Sequence, residues 1–451
     1  MAGTRTPVSA RGPAAGEPAS RVVTLVVVSG AAVAATLLIV YVLRRVEPVD
    51  FLVYRYAVHE AWQGFPLYQQ NLVGPLMPDG GLPFTYTPFA LLPLAATTLL
   101  PSWTAYLVWS FGSMLMLAWV LGRFVPLRTR RRPLVHTGAV LLSAFTCIVN
   151  EHVAFGQIGI ALMTLVVADL VRPAAGVVAR VVPRGVLVGI ATAIKLTPGL
   201  FLLYFLLTRQ WRFLLWSAVG AVGATLLAWA VLPDLTVEFV AQGIGGLTSR
   251  VSLGTKFATP GNGSVEGALA GLVGWTSPAV LVVAALAAAG GLGVARHCHR
   301  VGREVDAWLA VGLTAPMVSP ISWVHHWVFL LPVLVSLLLR APSRRTTLVT
   351  GAAVIGLVVG PDVGDELISS GHLLLAMLGV PLRECLLLIA IASLVALSRS
   401  PIDVTPDVLR RPAREAGSFS TVGTLLVQAQ ESPQEEGRMT RKPSVDTPGG
   451  V

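Results

Sequence analysis

Asp50 is a carboxylate that lies a few residues beyond the first long apolar run, in the stretch PVDFLVYRY at 48–56. At this position a side chain can face an aqueous cavity beside the lipid, where partial loss of hydration raises the pKa of a carboxyl group. Such a group can take a proton from a substrate hydroxyl near neutral pH. A solvated carboxylate at the start of a helix fits the position equally well. Asp50 is therefore a candidate general base, with the structural alternative still open.

Lys195 is a second charged residue in an apolar setting, directly before Leu196, Thr197 and Pro198. Proline interrupts a helix, so a break here would free backbone groups beside an ammonium. Ionisable side chains at membrane depth usually serve a function, and a phosphate is the natural anionic partner for this one. The competing interpretation is a lysine that extends its ammonium to the nearest membrane surface.

Two adjacent histidines, His325 and His326, lie between Trp323 and Trp327. Neighbouring residues on a helix point about 100° apart, so at most one of the two faces a given cavity. A histidine pair that binds a metal needs a spacing of three or four residues. The pair therefore indicates phosphate binding, or orientation of a lipid-linked donor, and no metal or other cofactor is expected.

Aromatic and amide side chains accompany these charged residues. Tyr54 follows Asp50 by one helical turn, Tyr86 lies in the proline-containing stretch 83–89, and Gln157 ends a polar cluster between two apolar runs. Aromatic rings among glycine and proline suit either sugar stacking or an interfacial aromatic belt. An amide at membrane depth needs a partner, which a polar ligand or a neighbouring helix can supply.

The composition places all these residues in a membrane protein. Of the 451 residues, 54% are hydrophobic and only 12% are charged, with a mean hydropathy of +0.72, whereas a soluble globular chain is usually about 25% charged. Backbone polar groups in lipid must be bonded internally, and continuous apolar runs favour helices over a barrel. The net charge of +10 resides in arginine clusters between these runs, which the positive-inside rule explains without a nucleic-acid partner.

The apolar runs predict an all-α, multi-pass protein of the plasma membrane, with about ten to twelve transmembrane helices. The predicted spans are 22–43, 103–121, 134–150, 157–171, 213–232, 279–295, 307–318, 324–339, 348–360 and 373–397. The stretch 185–208 is expected to form two short helices that enter and return, and 83–100 to lie at the outer interface.

In this predicted topology the polar motifs lie on the extracytoplasmic side. They lie in a long first loop at 44–82, in the turns around 151–156 and 319–323, and in a loop at 233–263. The tails, 1–20 and 399–451, are rich in proline, serine and glycine and are expected to be disordered in the cytoplasm. Between them, 21–398 is expected to be one transmembrane domain.

Taken together, these motifs resemble one family, the polyprenyl-phosphate-mannose-dependent alpha-1,2-mannosyltransferases of the GT-C fold known from mycolic-acid-containing actinobacteria. The resemblance covers 49–339 and rests on Asp50 with Tyr54, GFPLY at 64–68, PFTYTP at 83–88, FGQI at 155–158, KLTP at 195–198, NGS at 262–264 and SPISWVHHW at 319–327. Two positions depart from the family pattern. Thr87 stands where the family usually has a second proline, and Gly263 stands where an amide or acidic residue often follows the asparagine.

The resemblance implies a GT-C type enzyme that takes mannose from a polyprenyl-phosphate carrier on the outer leaflet. It would add the sugar to a glycolipid or lipoglycan acceptor that also resides in the membrane lipid, forming an alpha-1,2 linkage. In that case Asp50 is the base that activates the acceptor hydroxyl. The resemblance further implies Lys195, His325 and His326 as ligands of the donor phosphate, and Tyr54, Tyr86, Gln157 and Asn262 as the lining of the sugar or acceptor cavity.

Two other functions stay open at this point. An arabinofuranosyltransferase of the same fold would use decaprenyl-phosphate-arabinose with a similar base and phosphate site, and the motifs hardly separate the two enzymes. A transporter of a lipid-linked sugar would show internal repetition and polar residues at both faces of its pathway. The sequence shows neither feature, so the crowding of polar motifs on one side favours an outward-facing enzyme.

Overall fold

A computed structural model describes residues 28, 30, 32, 36, 47–75, 80–126, 129, 131–172, 181–251, 261–274, 279–340, 344–399 and 449–450. The described helices belong to one compact unit, Met1–Leu409, and only residues 449 and 450 are described in the second unit, Arg410–Val451. The predicted tail 1–20 and nearly all of the predicted tail 399–451 therefore lie outside the described residues. Most of the predicted span 22–43 does too, although its four described positions are helical.

The secondary structure of the described residues is helical, with eighteen α-helices and four short 3-10 helices. The α-helices are α1 Val49–Ala61, α2 Leu91–Leu94, α3 Ser102–Phe124, α4 Arg132–Ala144, α5 Cys147–Phe155, α6 Gly159–Leu170, α7 Val186–Ile194, α8 Leu200–Leu207, α9 Trp211–Val231, α10 Pro233–Val251, α11 Val265–Val273, α12 Ala279–Arg300, α13 Glu304–Val318, α14 Leu330–Arg340, α15 Arg344–Val359, α16 Pro361–Ser369, α17 Leu373–Arg383 and α18 Cys385–Arg399. The 3-10 helices are Pro88–Ala90, Ala95–Thr98, Thr197–Gly199 and Val324–His326. The predicted class, an all-α polytopic membrane protein, is confirmed.

Three single helices, α3, α9 and α12, are long and apolar enough to cross a membrane. Three pairs of helices, bent by 66°, 72° and 55° at a short break, bring the number to six if each pair is one span: α4 with α5, α15 with α16, and α17 with α18. Helices such as α6 and α14 are shorter, and at about 1.5 Å per residue they cover only part of a ~30 Å hydrocarbon core. By length and composition the described helices therefore give fewer full spans than the apolar runs predicted.

The predicted interruption at Lys195 is confirmed. Helix α7 ends at Ile194, Lys195 has extended backbone angles of φ −144° and ψ 136°, and the 3-10 turn Thr197–Gly199 leads into α8. Thr87 holds the end of α7, because its backbone N–H donates to the carbonyl oxygen of Ile194 at 3.4 Å and its hydroxyl donates to that of Ala193. The break therefore places Lys195 between two helices, beside the segment that carries Tyr86.

The predicted outer loop 233–263 is wrong over its first part, where the chain forms α10. Residues 252–260 of that loop lie outside the described residues. Three glycines and several polar residues gave this stretch the composition of a loop, yet Pro233 stands at its first helical position, where proline is favoured. Phe239 packs against Tyr68 of the first loop, with 5.2 Å between ring centroids. Helix α10 therefore packs against the first loop.

A close crossing of α7 and α9 fixes the helix that ends at Lys195. A methyl group on Gly189 would lie 2.1 Å from the carbonyl oxygen of Ser217, and one on Gly220 would lie 2.4 Å from that of Val186. Small residues at such crossings let helix backbones approach closely in membrane proteins. The position of Lys195 thus depends on glycines about two helical turns away.

Candidate active site

A cavity of about 450 Å³ opens where α1, the 83–87 segment, the α7–α8 break and the turn after α13 meet. Its volume falls within the range of about 300–1,000 Å³ that is common for ligand sites. Five of the predicted site residues line it: Asp50, Tyr86, Gln157, Lys195 and His326. The other three, Tyr54, His325 and Asn262, are not among its lining residues.

Gln157 connects the candidate base to two tyrosines. Its side-chain oxygen accepts hydrogen bonds from the hydroxyls of Tyr54 and Tyr86, both at 3.2 Å, and these hydroxyls lie 2.8 Å from each other. The Gln157 side chain is also within hydrogen-bonding reach of the Asp50 carboxylate. Since the amide oxygen already has two donors, the NH₂ group is the part that can donate to Asp50. Tyr54 thus supports the wall from behind and does not line the cavity itself.

The surroundings of Asp50 make it a stronger base than a solvated carboxylate. Burial raises the pKa of Asp50 above its usual value of 3.8, and the negative charge of Glu151 adds to the rise. The hydrogen bond from Gln157 and the positive charge of Lys195 oppose this pKa shift without cancelling it. A carboxylate with a raised pKa accepts a proton from a hydroxyl more readily.

Lys195 and His326 form the positive side of the cavity. The Lys195 ammonium nitrogen lies 3.1 Å from Nε2 of His326 and 5.1 Å from the centroid of the Tyr86 ring. An ammonium has no lone pair, so the neutral His326 ring is the acceptor in this hydrogen bond. Burial lowers the pKa of His326 well below its usual 6.5, and the charge of Lys195 lowers it further. The pair therefore presents a positive charge and N–H donors, which is what a phosphate oxygen requires.

His325 lies one layer behind the cavity wall. Its side chain is only 4% exposed, and its Nδ1 lies 3.4 Å from a carboxylate oxygen of Glu151. Its ring meets that of His326 at a right angle, with 4.7 Å between centroids. Burial lowers the pKa of His325 to about 3. A buried ring one layer back cannot bind the donor phosphate as directly as His326 can.

Asn262 positions the turn that carries the histidines. Its side-chain oxygen accepts from the backbone N–H of Ser322 at 2.9 Å and of Ser264 at 3.3 Å, and its NH₂ group donates to the carbonyl of Pro320 at 3.4 Å. The expectation that Asn262 lines the sugar cavity is therefore corrected. Its side chain is occupied with backbone groups, and it acts on the cavity through the 319–323 turn.

Three residues that the sequence did not single out belong to the site. Ser319 and Trp323 line the cavity, and Glu151 contacts His325. Each lies in a sequence motif noted above for a neighbouring residue, and this proximity is the signal that could have identified it. Their side-chain directions depend on turns whose geometry the motif does not reveal.

The model of glycosyltransferase family 87 matches residues 84–320, a little more than half of the chain. The chain belongs to glycosyltransferase family 87. The match includes Tyr86, Gln157, Lys195 and Asn262, whereas Asp50 and the histidine pair lie outside it.

Named relatives agree with membership in family 87. The chain is 32% identical over 349 residues, 69% of its length and 74% of the relative's, to the polyprenol-phosphate-mannose-dependent alpha-(1-2)-phosphatidylinositol mannoside mannosyltransferase of Mycolicibacterium smegmatis. It is 31% identical over 335 residues, 69% of its length and 75% of the relative's, to the protein of the same name in Mycobacterium tuberculosis. A phosphatidylinositol pentamannoside mannosyltransferase of M. smegmatis is 29% identical over 307 residues, 67% of this chain and 68% of the relative.

Family 87 membership makes the chain a membrane hexosyltransferase. No solved structure matches it.

Proposed function

We propose that this family 87 enzyme transfers mannose from polyprenyl-phosphate-mannose to a mannoside on a glycolipid or lipoglycan, forming an alpha-1,2 linkage at the extracytoplasmic face of the plasma membrane. The names of the relatives support this donor, this linkage and a phosphatidylinositol mannoside type of acceptor. Both substrates carry lipid chains and reach the cavity from the surrounding membrane.

One observation carries the proposal: a carboxylate and an ammonium face the same cavity. Asp50 lines it from the start of α1, while Lys195 with His326 lines it from the α7–α8 break and the turn after α13. A sugar phosphate placed between them would have its leaving oxygen beside the cations and its anomeric carbon open to an attacking hydroxyl. That is the arrangement an in-line displacement needs.

In the proposed reaction Asp50 takes the proton of the acceptor hydroxyl while the hydroxyl oxygen attacks the anomeric carbon. The bond between that carbon and the phosphate oxygen breaks, and the polyprenyl phosphate leaves with the bonding electrons. Lys195 and the N–H groups near it stabilise the growing negative charge on the phosphate. A single displacement inverts the anomeric centre, so a beta-linked donor gives an alpha-linked product.

The decisive test is sugar transfer by purified protein, with synthetic polyprenyl-phosphate-mannose and a short alpha-mannoside acceptor. Asp50→Asn preserves the shape of the side chain and removes the base, so we expect a loss of at least ~100-fold in kcat. Glu60→Gln on the same helix is the matched control and should keep full activity, because among the described residues the Glu60 carboxylate contacts the exposed His59 alone.

Two outcomes would contradict the proposal in different ways. Transfer of arabinose instead of mannose from the corresponding lipid phosphates would keep the fold and the site but overturn the donor. Full activity of Asp50→Asn would overturn the mechanism.

The sidedness needs a separate measurement. Gln63 in the first loop and Arg300 at the end of α12 are both exposed, and the topology predicted from the sequence would put them on opposite faces of the membrane. A cysteine introduced at either position, in a Cys147→Ser background that keeps only the buried Cys298 and Cys385, should react differently with a membrane-impermeant maleimide. We expect Gln63→Cys to react in intact cells and Arg300→Cys only after lysis, and the reverse pattern would place the cavity on the cytoplasmic side.

A further inference from the structure

A second, smaller cavity adjoins the active-site cavity. It has a volume of about 70 Å³ and lies between α6, α8, α13 and the segment that joins the histidine turn to α14. The residues that line both cavities are Lys195, Thr197, Ala315, Ser319 and His326. Asp50 is among the lining residues of the larger cavity but not of the smaller one. Lys195 and His326 therefore stand at the boundary between the two.

Beyond this boundary the walls of the smaller cavity are mostly apolar. The buried side chains of Met163, Val166 and Phe201 line it together with Phe329. Gly312 makes room for the Phe329 ring, because a methyl group on this glycine would overlap the ring. One water molecule requires ~10–15 Å³, so the volume has room for about five non-hydrogen atoms. Cavities with apolar walls stay dry, and this one therefore suits a small hydrocarbon group.

One buried hydroxyl near the boundary has no partner. Ser322 lines the smaller cavity, and its side-chain oxygen has no hydrogen-bond partner among the described residues. Its backbone N–H donates to the Asn262 side chain at 2.9 Å, which fixes the residue and leaves the hydroxyl available. A buried polar atom without a partner calls for an explanation, such as a ligand. A phosphate held by Lys195 and His326 would supply the missing acceptor.

The chemistry of the donor determines what must lie next to its phosphate. In a polyprenyl-phosphate sugar one phosphate oxygen carries the sugar and another carries the first isoprene unit, so the two groups leave the phosphate in different directions. We propose that the sugar occupies the larger cavity and that the five-carbon isoprene unit next to the phosphate occupies the smaller one. This inference rests on the proposed function. Leu196 and Thr197 beside the boundary are exposed and let the rest of the chain pass into the lipid.

An acyl chain of the acceptor is the other hydrocarbon that comes near the site. The acceptor's head group separates this chain from the reacting hydroxyl, whereas the isoprene unit begins one bond away from a phosphate oxygen. Lys195 and His326 line both cavities, so the group in the smaller cavity must be attached close to the phosphate. The geometry therefore favours the isoprene unit of the donor.

Two water-soluble donors with the same head group test the assignment. In one, mannosyl phosphate is esterified with a single five-carbon prenyl group, and in the other with a methyl group. Each additional buried carbon can improve binding up to ~4-fold, so for the wild type we expect the KM of the prenyl donor to be at least ~10-fold below that of the methyl donor.

Val166→Phe fills the smaller cavity from a position that is not among the lining residues of the larger one. Helix side chains tilt toward the N-terminus of their helix, so the new ring points toward the boundary. We expect the KM of the methyl donor to exceed that of the prenyl donor by less than ~3-fold in this variant, because the ring takes the space of the isoprene unit. Leu165→Phe is the matched control. It adds a ring to the same helix at a half-buried position outside both sets of lining residues, and it should keep the wild-type ratio.

A photolabel examines the same contact in the unaltered protein. A prenyl donor with a diazirine in its first isoprene unit should label peptides that contain Met163, Val166, Phe201 or Phe329, and unlabelled polyprenyl phosphate should prevent the labelling. This measurement decides the inference if Val166→Phe does not fold or if the short donors are not used.

The same KM ratio in Val166→Phe as in the wild type would overturn the inference, and so would a wild-type ratio near one. Label confined to the exposed leucines of α8, such as Leu203 and Leu207, would overturn it too, because the first isoprene unit would then lie in the lipid. Failure of the wild type to transfer mannose, with the label still on α6, would instead contradict the proposed function and leave the isoprene site in place.

Discussion

The ammonium nitrogen of Lys195 lies 3.1 Å from Nε2 of His326. Because the lysine must donate in this contact, the single ring proton of His326 resides on Nδ1 and the ring stays uncharged. One positive charge, on the Lys195 ammonium that contacts His326, is therefore available to an anion in the cavity. This pairing ties the broken helix at 195–198 to the turn that follows α13.

Removing the ammonium should weaken donor binding more than it slows chemistry. For Lys195→Gln we expect the KM for polyprenyl-phosphate-mannose to rise at least ~10-fold, because the phosphate loses its only formal charge partner in the described cavity lining. Lys195→Arg keeps the charge and serves as the control, with a smaller rise. Initial rates over a range of donor concentrations would show this, and an unchanged donor KM in Lys195→Gln would contradict the phosphate assignment.

The two tyrosines should substitute for each other in part. Tyr54→Phe or Tyr86→Phe removes one of the two donors to the Gln157 oxygen, and the remaining hydroxyl still holds the amide. We expect less than a ~10-fold loss in kcat for either single variant. The double variant should lose more than the product of the two single effects.

Gln157→Leu removes the amide altogether. Its loss in kcat is therefore the largest that disruption of these hydrogen bonds should cause. If the double tyrosine variant lost no more activity than one single variant, the amide would not need these hydroxyls to orient Asp50.

The pH dependence of kcat/KM should report the base. Burial raises the pKa of Asp50 above 3.8, and only the ionised form accepts a proton, so activity is full above the raised pKa and falls as the pH drops through it. His326, whose pKa burial lowers below 6.5, stays neutral near neutral pH and adds no loss there. Rates measured over a pH series should therefore give an acid limb with its midpoint above the ordinary carboxyl value. A midpoint at or below 3.8, in protein that stays folded, would exclude a desolvated Asp50 as the base.

The crossing of α7 and α9 offers a stability test with a built-in control. Gly189→Ala would bring a methyl group within 2.1 Å of the Ser217 carbonyl oxygen, whereas a methyl group at Gly223 on α9 would have nothing within 4 Å. We expect Gly189→Ala to lower stability by about 1–3 kcal/mol through overpacking and Gly223→Ala to leave it unchanged. Thermal unfolding of the two variants in detergent would show the difference, and equal Tm values would mean that the helices separate without cost.

The sequence predicted features that depend on local chemistry. The interruption at 195–198 followed from a proline, which acts on the helix in which it stands. The position of Asp50 just after an apolar run made it a candidate to face a cavity, and in the structure it lines one. The motif order was enough to assign the family, because each motif is read from consecutive residues.

Features that depend on distant contacts were not predictable in the same way. The 66° bend between α4 and α5 interrupts what reads as one apolar run, and α10 was mistaken for a loop because its glycines are weak helix formers. Residue type alone did not reveal that His326 lines the cavity while His325 lies behind it. That distinction depends on the turn at 319–323, which is held by Asn262 from about sixty residues earlier in the chain.

Thr87 holds the end of α7 with both its backbone N–H and its hydroxyl, at a position where the resembling family usually has proline. Proline has neither group, so a relative with proline there must satisfy the carbonyls of Ala193 and Ile194 by other means. The residue at 87 and the residues around the end of α7 should therefore change together during evolution. A change of Thr87 to proline alone would leave the carbonyl oxygens of Ala193 and Ile194 without these two donors.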